Sequence, residues 1–102
     1  MRISFERTGG FMGRKVEFSV DLDELPQDQA GNLEQLIEKA DFFHLPEDLV
    51  SKPAPDAYTY TITVETTVSQ HIVRFSDTSI TDSIRPLYDN LSILARSGGR
   101  RQ

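Results

Sequence analysis

A strict alternation of residue types fills the stretch YTYTITVE, residues 58–65, and it constrains the fold more than any other feature of this sequence. One face of the extended chain carries Tyr58, Tyr60, Ile62 and Val64, and the other carries threonines. A period of two residues is that of a β-strand with one face on a core and the other in water. The stretch therefore predicts a strand whose threonine face is solvated.

Three further segments alternate in the same way. They are RISFER (2–7), RKVEFSVD (14–21) and QHIVRFS (70–76). Their inward faces carry Ile3 and Phe5, then Val16, Phe18 and Val20, then His71, Val73 and Phe75. Residues 8–13 connect the first two strands, and TTVSQ forms a short turn between the last two. The pattern predicts two antiparallel hairpins.

Two amphipathic helices complete the pattern. The first has Pro26 at its start and a stripe of Leu33, Leu36, Ile37 and Ala40, at the spacing of one helix face. The second has a stripe of Ile84, Leu87, Tyr88, Leu91 and Leu94. Either Asp82 or Ser83 can cap this second helix, with Pro86 in its first turn.

These elements predict an α+β fold: a four-stranded antiparallel sheet with two α-helices packed on one face, in the order β-β-α-β-β-α. We expect residues 1–96 to form a single domain and residues 97–102 to form a disordered C-terminal tail. The residues expected to be buried are Phe5, Phe18, Leu36, Ile62, Phe75 and Leu91. Those expected to close one end of the core are Phe42, Phe43, Leu45 and Leu49.

Composition limits the possible functions. The net charge is −5, which disfavours binding to nucleic acid, and no apolar run is long enough for a membrane span. Because the chain has no cysteine, disulfides, thiol catalysis and thiolate metal sites are excluded. Its two histidines, His44 and His71, lack the spacing of a metal site. We therefore expect no metal, no cofactor and no enzymatic activity, and cytoplasmic localisation unless a leader has already been removed.

Two loops have the content of a binding surface. In TGGFMG, the large apolar residues Phe11 and Met12 are flanked by Gly9, Gly10 and Gly13. Either Phe11 folds back onto the end of the sheet, or the loop presents these side chains to a partner. The second loop consists of Lys52, Pro53, Ala54, Pro55 and Asp56. Its prolines make it either a stiff connector or a preorganised contact.

Several phrases, in order, resemble the emfourin family. They are ISFERTGGFMG, FSVDLDELP, LIEKADFFHLPEDL, YTYTITVE and DSIRPLYDNL. The likeness extends from about residue 2 to residue 95, and the phrases are specific as a set rather than singly. The resemblance implies a small protein inhibitor of thermolysin-like zinc metallopeptidases, particularly the protealysin-like group. Such proteases favour bulky apolar side chains next to the bond they cleave.

The resemblance and the loop chemistry together predict a protease inhibitor that blocks the active-site cleft with surface loops. The protease-binding residues are then Gly9 to Gly13, with Lys52 to Asp56 as a secondary contact. The alternative is a non-inhibitory interaction or accessory regulatory module that uses the same surfaces. The expected partner is a thermolysin-like or protealysin-like metallopeptidase, and a monomer is favoured over a dimer.

Overall fold

The computed structural model describes residues 1–9, 15–49, 58–76 and 79–98, with the backbone alone for 95–98. The strands are β1 (Arg2–Gly9), β2 (Val16–Asp21), β3 (Tyr58–Glu65) and β4 (Gln70–Ser76). The helices are α1 (Gln27–Lys39) and α2 (Arg85–Gly98), and two short 3₁₀ helices cover Leu22–Glu24 and Phe42–His44. The predicted α+β class and the order β-β-α-β-β-α are confirmed.

The four strands form one antiparallel sheet in the order β2-β1-β3-β4. In the register of the sheet, Phe5 of β1 lies opposite Phe18 of β2 and Ile62 of β3. Because side chains alternate between the two faces of a sheet, this register places the three apolar side chains on the same face. The strand phases predicted from the alternation are therefore confirmed.

The core lies between this face of the sheet and the two helices. Of the six residues predicted to be buried, Phe5, Ile62, Phe75 and Leu91 are buried, and Phe18 and Leu36 are partly buried against the core. Phe18 belongs to β2, which is an edge strand, so one of its flanks has no neighbouring strand to cover it. In α1 the deepest positions are Leu33 and Ile37, and Ala40, which caps the C-terminal end of the helix, is also buried.

The second helix begins at Arg85, slightly later than a cap at Asp82 or Ser83 predicts. A turn precedes it, in which the backbone N–H of Arg85 donates to the carbonyl of Thr81 at 3.1 Å. The helix extends to Gly98, so residues 97 and 98 of the predicted tail are helical. Residues 99–102 lie outside the described part of the chain, and the domain limits stay a prediction.

The segment after α1 packs differently from the prediction in one respect. Phe42 is buried, and Leu45 and Leu49 are partly buried against the core, but Phe43 is 36% exposed. Its ring meets the edge of the Phe42 ring at a centroid distance of 5.9 Å. Since Phe42 occupies the inner position, the next residue of the 3₁₀ helix lies at the surface.

The same segment then covers the outer edge of β4. The backbone N–H of Arg74 donates to the carbonyl of Glu47 at 2.8 Å, and its carbonyl accepts from the N–H of Leu49 at 2.7 Å. The Arg74 guanidinium also pairs with the Asp48 carboxylate at 2.8 Å. These bonds satisfy edge groups that would otherwise be open to pairing with another chain.

Truncating a core residue of α2 tests the packing of helix on sheet. Leu91 is completely buried, so Leu91→Ala should lower the free energy of unfolding by about 2–5 kcal/mol through lost burial and a residual cavity. Ile93, on the same helix, is 57% exposed, so Ile93→Ala is the matched control. It should change the free energy of unfolding by less than about 0.5 kcal/mol. Urea unfolding measures both. Equal effects at the two positions would contradict the assigned helix face.

Candidate functional site

The end of the sheet where β1 finishes and β3 begins is the candidate site, and we call it the Gly9 end. Gly9 lies directly opposite Tyr58 in the register of the two central strands. Its φ angle is 94°, in a region that side chains with a Cβ rarely adopt. The backbone therefore requires a glycine at the position where the chain leaves β1.

The Gly9 end is where both candidate loops join the sheet. Residues 10–14 follow Gly9, and residues 50–57 precede Tyr58. Paired residues of antiparallel strands have Cα atoms about 5 Å apart, so the two loops join the fold at neighbouring points. Among the predicted site residues, the structure places Gly9, while 10–13 and 52–56 lie outside the described residues.

An arginine at this end was not among the predicted site residues. The guanidinium carbon of Arg7 lies 4.6 Å from the centroid of the Tyr58 ring, a cation–π contact. Its Nε is buried and has no hydrogen-bond partner among the residues that the structure describes, which is uncommon in proteins. The sequence holds the signal, because Arg7 continues the inward phase of Ile3 and Phe5, where an apolar residue is expected.

An aromatic cluster supports the Gly9 end from the core side. Tyr60 is buried, and its ring centroid lies 5.3 Å from that of Phe75, 4.8 Å from that of Tyr88 and 6.0 Å from that of Phe5. The Tyr88 hydroxyl donates to the Tyr60 hydroxyl at 3.2 Å. Because these rings come from three strands and α2, their contacts pack three strands of the sheet and α2 together.

Lys15 lies just before β2 at the same end. Its ammonium group is 3.0 Å from the Glu17 carboxylate and 3.1 Å from the Glu6 carboxylate. The hydrogen bonds from Lys15 to Glu17, then to Glu6, raise the pKa of Lys15 above its ordinary value. The protonated form is thus favoured in the fold, and its stabilising effect holds at neutral pH and is lost as the pH rises through the raised pKa.

Both histidines have structural partners. His71 donates from Nε2 to the carbonyl of Leu45 at 2.8 Å, which ties β4 to the segment after α1. His44 is exposed and donates from Nδ1 to the Asp41 carboxylate at 2.7 Å. Within the described ranges, no three His, Cys, Asp or Glu residues are grouped so that they could hold a metal ion. The absence of a metal and of a cofactor stays a prediction.

The fold and the candidate site define a small α+β protein built on a single antiparallel sheet. The emfourin family model matches residues 5–92, which is most of the 102-residue chain. The chain therefore belongs to the emfourin family, as the sequence resemblance predicts. No curated protein and no solved structure matches it.

Family membership sets the general function. Emfourins are protease inhibitors, so family membership implies a general role in protease inhibition, with a protease as the partner. The expectation that the chain has no enzymatic activity stays a prediction. In the part of the chain that the structure describes, no helix is both long and apolar enough to cross a membrane.

A double-mutant cycle tests the contact between Arg7 and Tyr58. Arg7→Met keeps most of the aliphatic stem and removes the charge, and Tyr58→Leu removes the ring. We expect the two losses of stability to be non-additive, with a coupling of about 0.5–1 kcal/mol in urea unfolding. Arg2→Met, at the other end of β1, is the matched control and should show no coupling with Tyr58→Leu. Additive losses for Arg7 and Tyr58 would contradict the contact.

Proposed function

We propose that this chain inhibits a thermolysin-like zinc metallopeptidase, of the protealysin-like group, by placing the loops at its Gly9 end in the active-site cleft. The observation that carries the proposal is the pairing of Gly9 with Tyr58, since it joins both candidate loops to the sheet at one place. Emfourin membership supports the inhibitory role, and the resemblance in sequence supports the class of protease.

The chemistry of the first loop suits an apolar pocket. Phe11 and Met12 are the large apolar residues between Gly9 and Lys15, and thermolysin-like proteases accept such side chains beside the bond they cleave. A residue that fills a partner's pocket can supply a large share of the binding free energy. A well-packed base lowers the entropy lost on binding, and the aromatic cluster around Tyr60 packs close to the strand ends that carry the loops.

The route of inhibition follows from composition. The chain has no cysteine, so it cannot bind the protease's zinc through a thiolate. The routes that remain are filling the cleft with side chains, or offering the zinc an imidazole, a carboxylate or a backbone carbonyl. We propose occupancy of the cleft, with residues 10–13 as the principal contact and 52–56 as the secondary one.

The direct experiment is inhibition of purified proteases. The chain is incubated with thermolysin and separately with a protealysin-like enzyme, and residual peptidase activity is measured against inhibitor concentration. We expect stoichiometric loss of activity for at least one of them. Full activity of both at saturating inhibitor would contradict the proposed target class and favour the alternative, a non-inhibitory regulatory module.

Truncation of the two loop side chains tests which of them is an anchor. If both are, Phe11→Ala and Met12→Ala should each raise the inhibition constant about thirtyfold, equivalent to about 2 kcal/mol, and leave the melting temperature unchanged. Val68 is the matched control: it is 90% exposed and lies in the turn at the opposite end of the sheet, so Val68→Ala should leave inhibition intact.

The outcomes separate an anchor from a structural residue. A lower melting temperature with normal inhibition would show that the side chain packs on the fold, and the contact would then shift to residues 52–56. An increase in the inhibition constant for Val68→Ala, equal to that for Met12→Ala, would contradict docking through the Gly9 end. Monomeric state and cytoplasmic localisation remain predictions.

A further inference from the structure

A groove at the other end of the sheet has an apolar floor and an acidic rim. Its volume is about 510 Å³, and it is lined by Met1, Glu34, Ile37, Glu38, Asp41, Phe42, Phe43 and His44. Met1 precedes Arg2, which pairs with Asp21 and Glu65 at the end of β1 farthest from Gly9. The groove therefore lies apart from the Gly9 end, and we call it the Phe43 groove.

The floor of the Phe43 groove is aromatic and is packed against neighbouring rings. Phe43 is 36% exposed, whereas Phe42 beneath it is buried. The Phe43 ring meets Phe42 edge-on at 5.9 Å between centroids and lies 6.1 Å from the His71 ring. His71 is itself held by its bond to the Leu45 carbonyl. An aromatic surface that is exposed on one side and packed against neighbouring rings on the other can receive an apolar side chain at a low cost in entropy.

The rim carries three carboxylates. Glu34 and Glu38 lie one turn apart on α1, at a spacing where like charges repel each other. Asp41 follows the helix in a left-handed conformation, with φ of 54°, and accepts the bond from His44. Within the described residues, neither Glu34 nor Glu38 has a lysine or arginine at ion-pairing distance.

The helix dipole makes this arrangement unfavourable for stability. The C-terminal end of an α-helix carries partial negative charge, so cations are favoured there and carboxylates are not. Glu38 is in the last turn of α1, and Asp41 lies just beyond it. These carboxylates repel one another, and those near the end of the helix also oppose its dipole. A cation placed among them relieves both effects, so its binding there is favourable.

We propose that the Phe43 groove binds a peptide segment of a partner protein in which a bulky apolar residue neighbours a lysine or arginine. The apolar side chain packs on Phe43 and Ile37, and the cationic group lies between Glu34 and Glu38. A groove of this volume takes one or two side chains rather than a folded domain. Because the two ends of the sheet are separate, this segment and a protease can be bound together.

A second copy of this chain is the wrong occupant on electrostatic grounds. A symmetric dimer through the groove would bring the same acidic rim from both copies together. The chain as a whole carries a net charge of −5, which adds to the repulsion. A basic apolar segment has the complementary charge and removes the repulsion between the carboxylates.

The probe is a short fluorescein-labelled peptide in which leucine alternates with lysine, measured by fluorescence anisotropy against the full chain. Two comparison peptides replace leucine with glycine or lysine with glutamate. We expect the leucine–lysine peptide to bind at least about tenfold more tightly than either. Equal binding of the glycine–lysine peptide would show charge attraction alone and would overturn the proposal, as would no binding of the leucine–lysine peptide.

Paired charge variants locate the binding site. The double variant Glu34→Gln with Glu38→Gln keeps the shape of the rim, and it should weaken the binding of the leucine–lysine peptide by about tenfold or more. Asp23→Asn with Glu24→Gln removes the same charge from exposed positions before α1 and is the matched control, which should bind normally. Equal weakening by the two pairs would overturn the proposed site.

Two further measurements make the result independent of the inhibitory function. On addition of the peptide, the NMR signals of Ile37 and Phe43 should shift while those of Tyr58 stay in place. The Gln pair should also inhibit the protease as the unmodified chain does. NMR shifts confined to the Gly9 end would overturn the proposal. It would also be overturned if sedimentation showed a dimer that Phe43→Ser converts to a monomer.

Discussion

The antiparallel pairing of β1 with β3 holds the two halves of this structure together. Each half of the chain forms its own hairpin, and β1–β3 is the pairing that joins the two hairpins into one sheet. Its register sets Phe5 beside Ile62 and continues one apolar face across all four strands, which α1 and α2 then cover. The same register sets Gly9 beside Tyr58 and so brings together two loops that are far apart in sequence.

The sequence predicts the parts of this fold that local periodicity determines. The alternation around Ile62 sets the phase of β3, and the stripe that contains Leu91 sets the buried face of α2. Periodicity along one segment carries no information about which hairpins pair, so neither the central position of β1 nor the parallel bridge of Asp48 to Arg74 was predicted. The prediction that Phe43 closes the core together with Phe42 is wrong for a related reason. The sequence does not show which of two adjacent phenylalanines is buried, because that depends on the surrounding structure.

The candidate site was predictable to a smaller degree. Glycine and proline content identified the loops, and the structure places the one described member, Gly9, where a positive φ requires a glycine. Arg7 was overlooked although it occupies an inward strand position. The sequence alone does not predict the Phe43 groove. Its rim combines residues of α1 with residues after it, and the surface is concave because Met1 and Phe42 pack beneath them. A charge pattern along a helix does not by itself indicate a groove.

In the proposed complex, the Gly9 end of the sheet faces the protease. Amide hydrogen exchange tests this orientation. The exchange of the chain is measured alone and in complex with a thermolysin-like protease that the chain itself inhibits, since amides buried at an interface exchange more slowly. We expect increased protection in residues 7–9 and 58–60 and unchanged exchange in residues 42–44 and 66–71. Protection confined to 42–44 and 66–71, with no change at the Gly9 end, would contradict it.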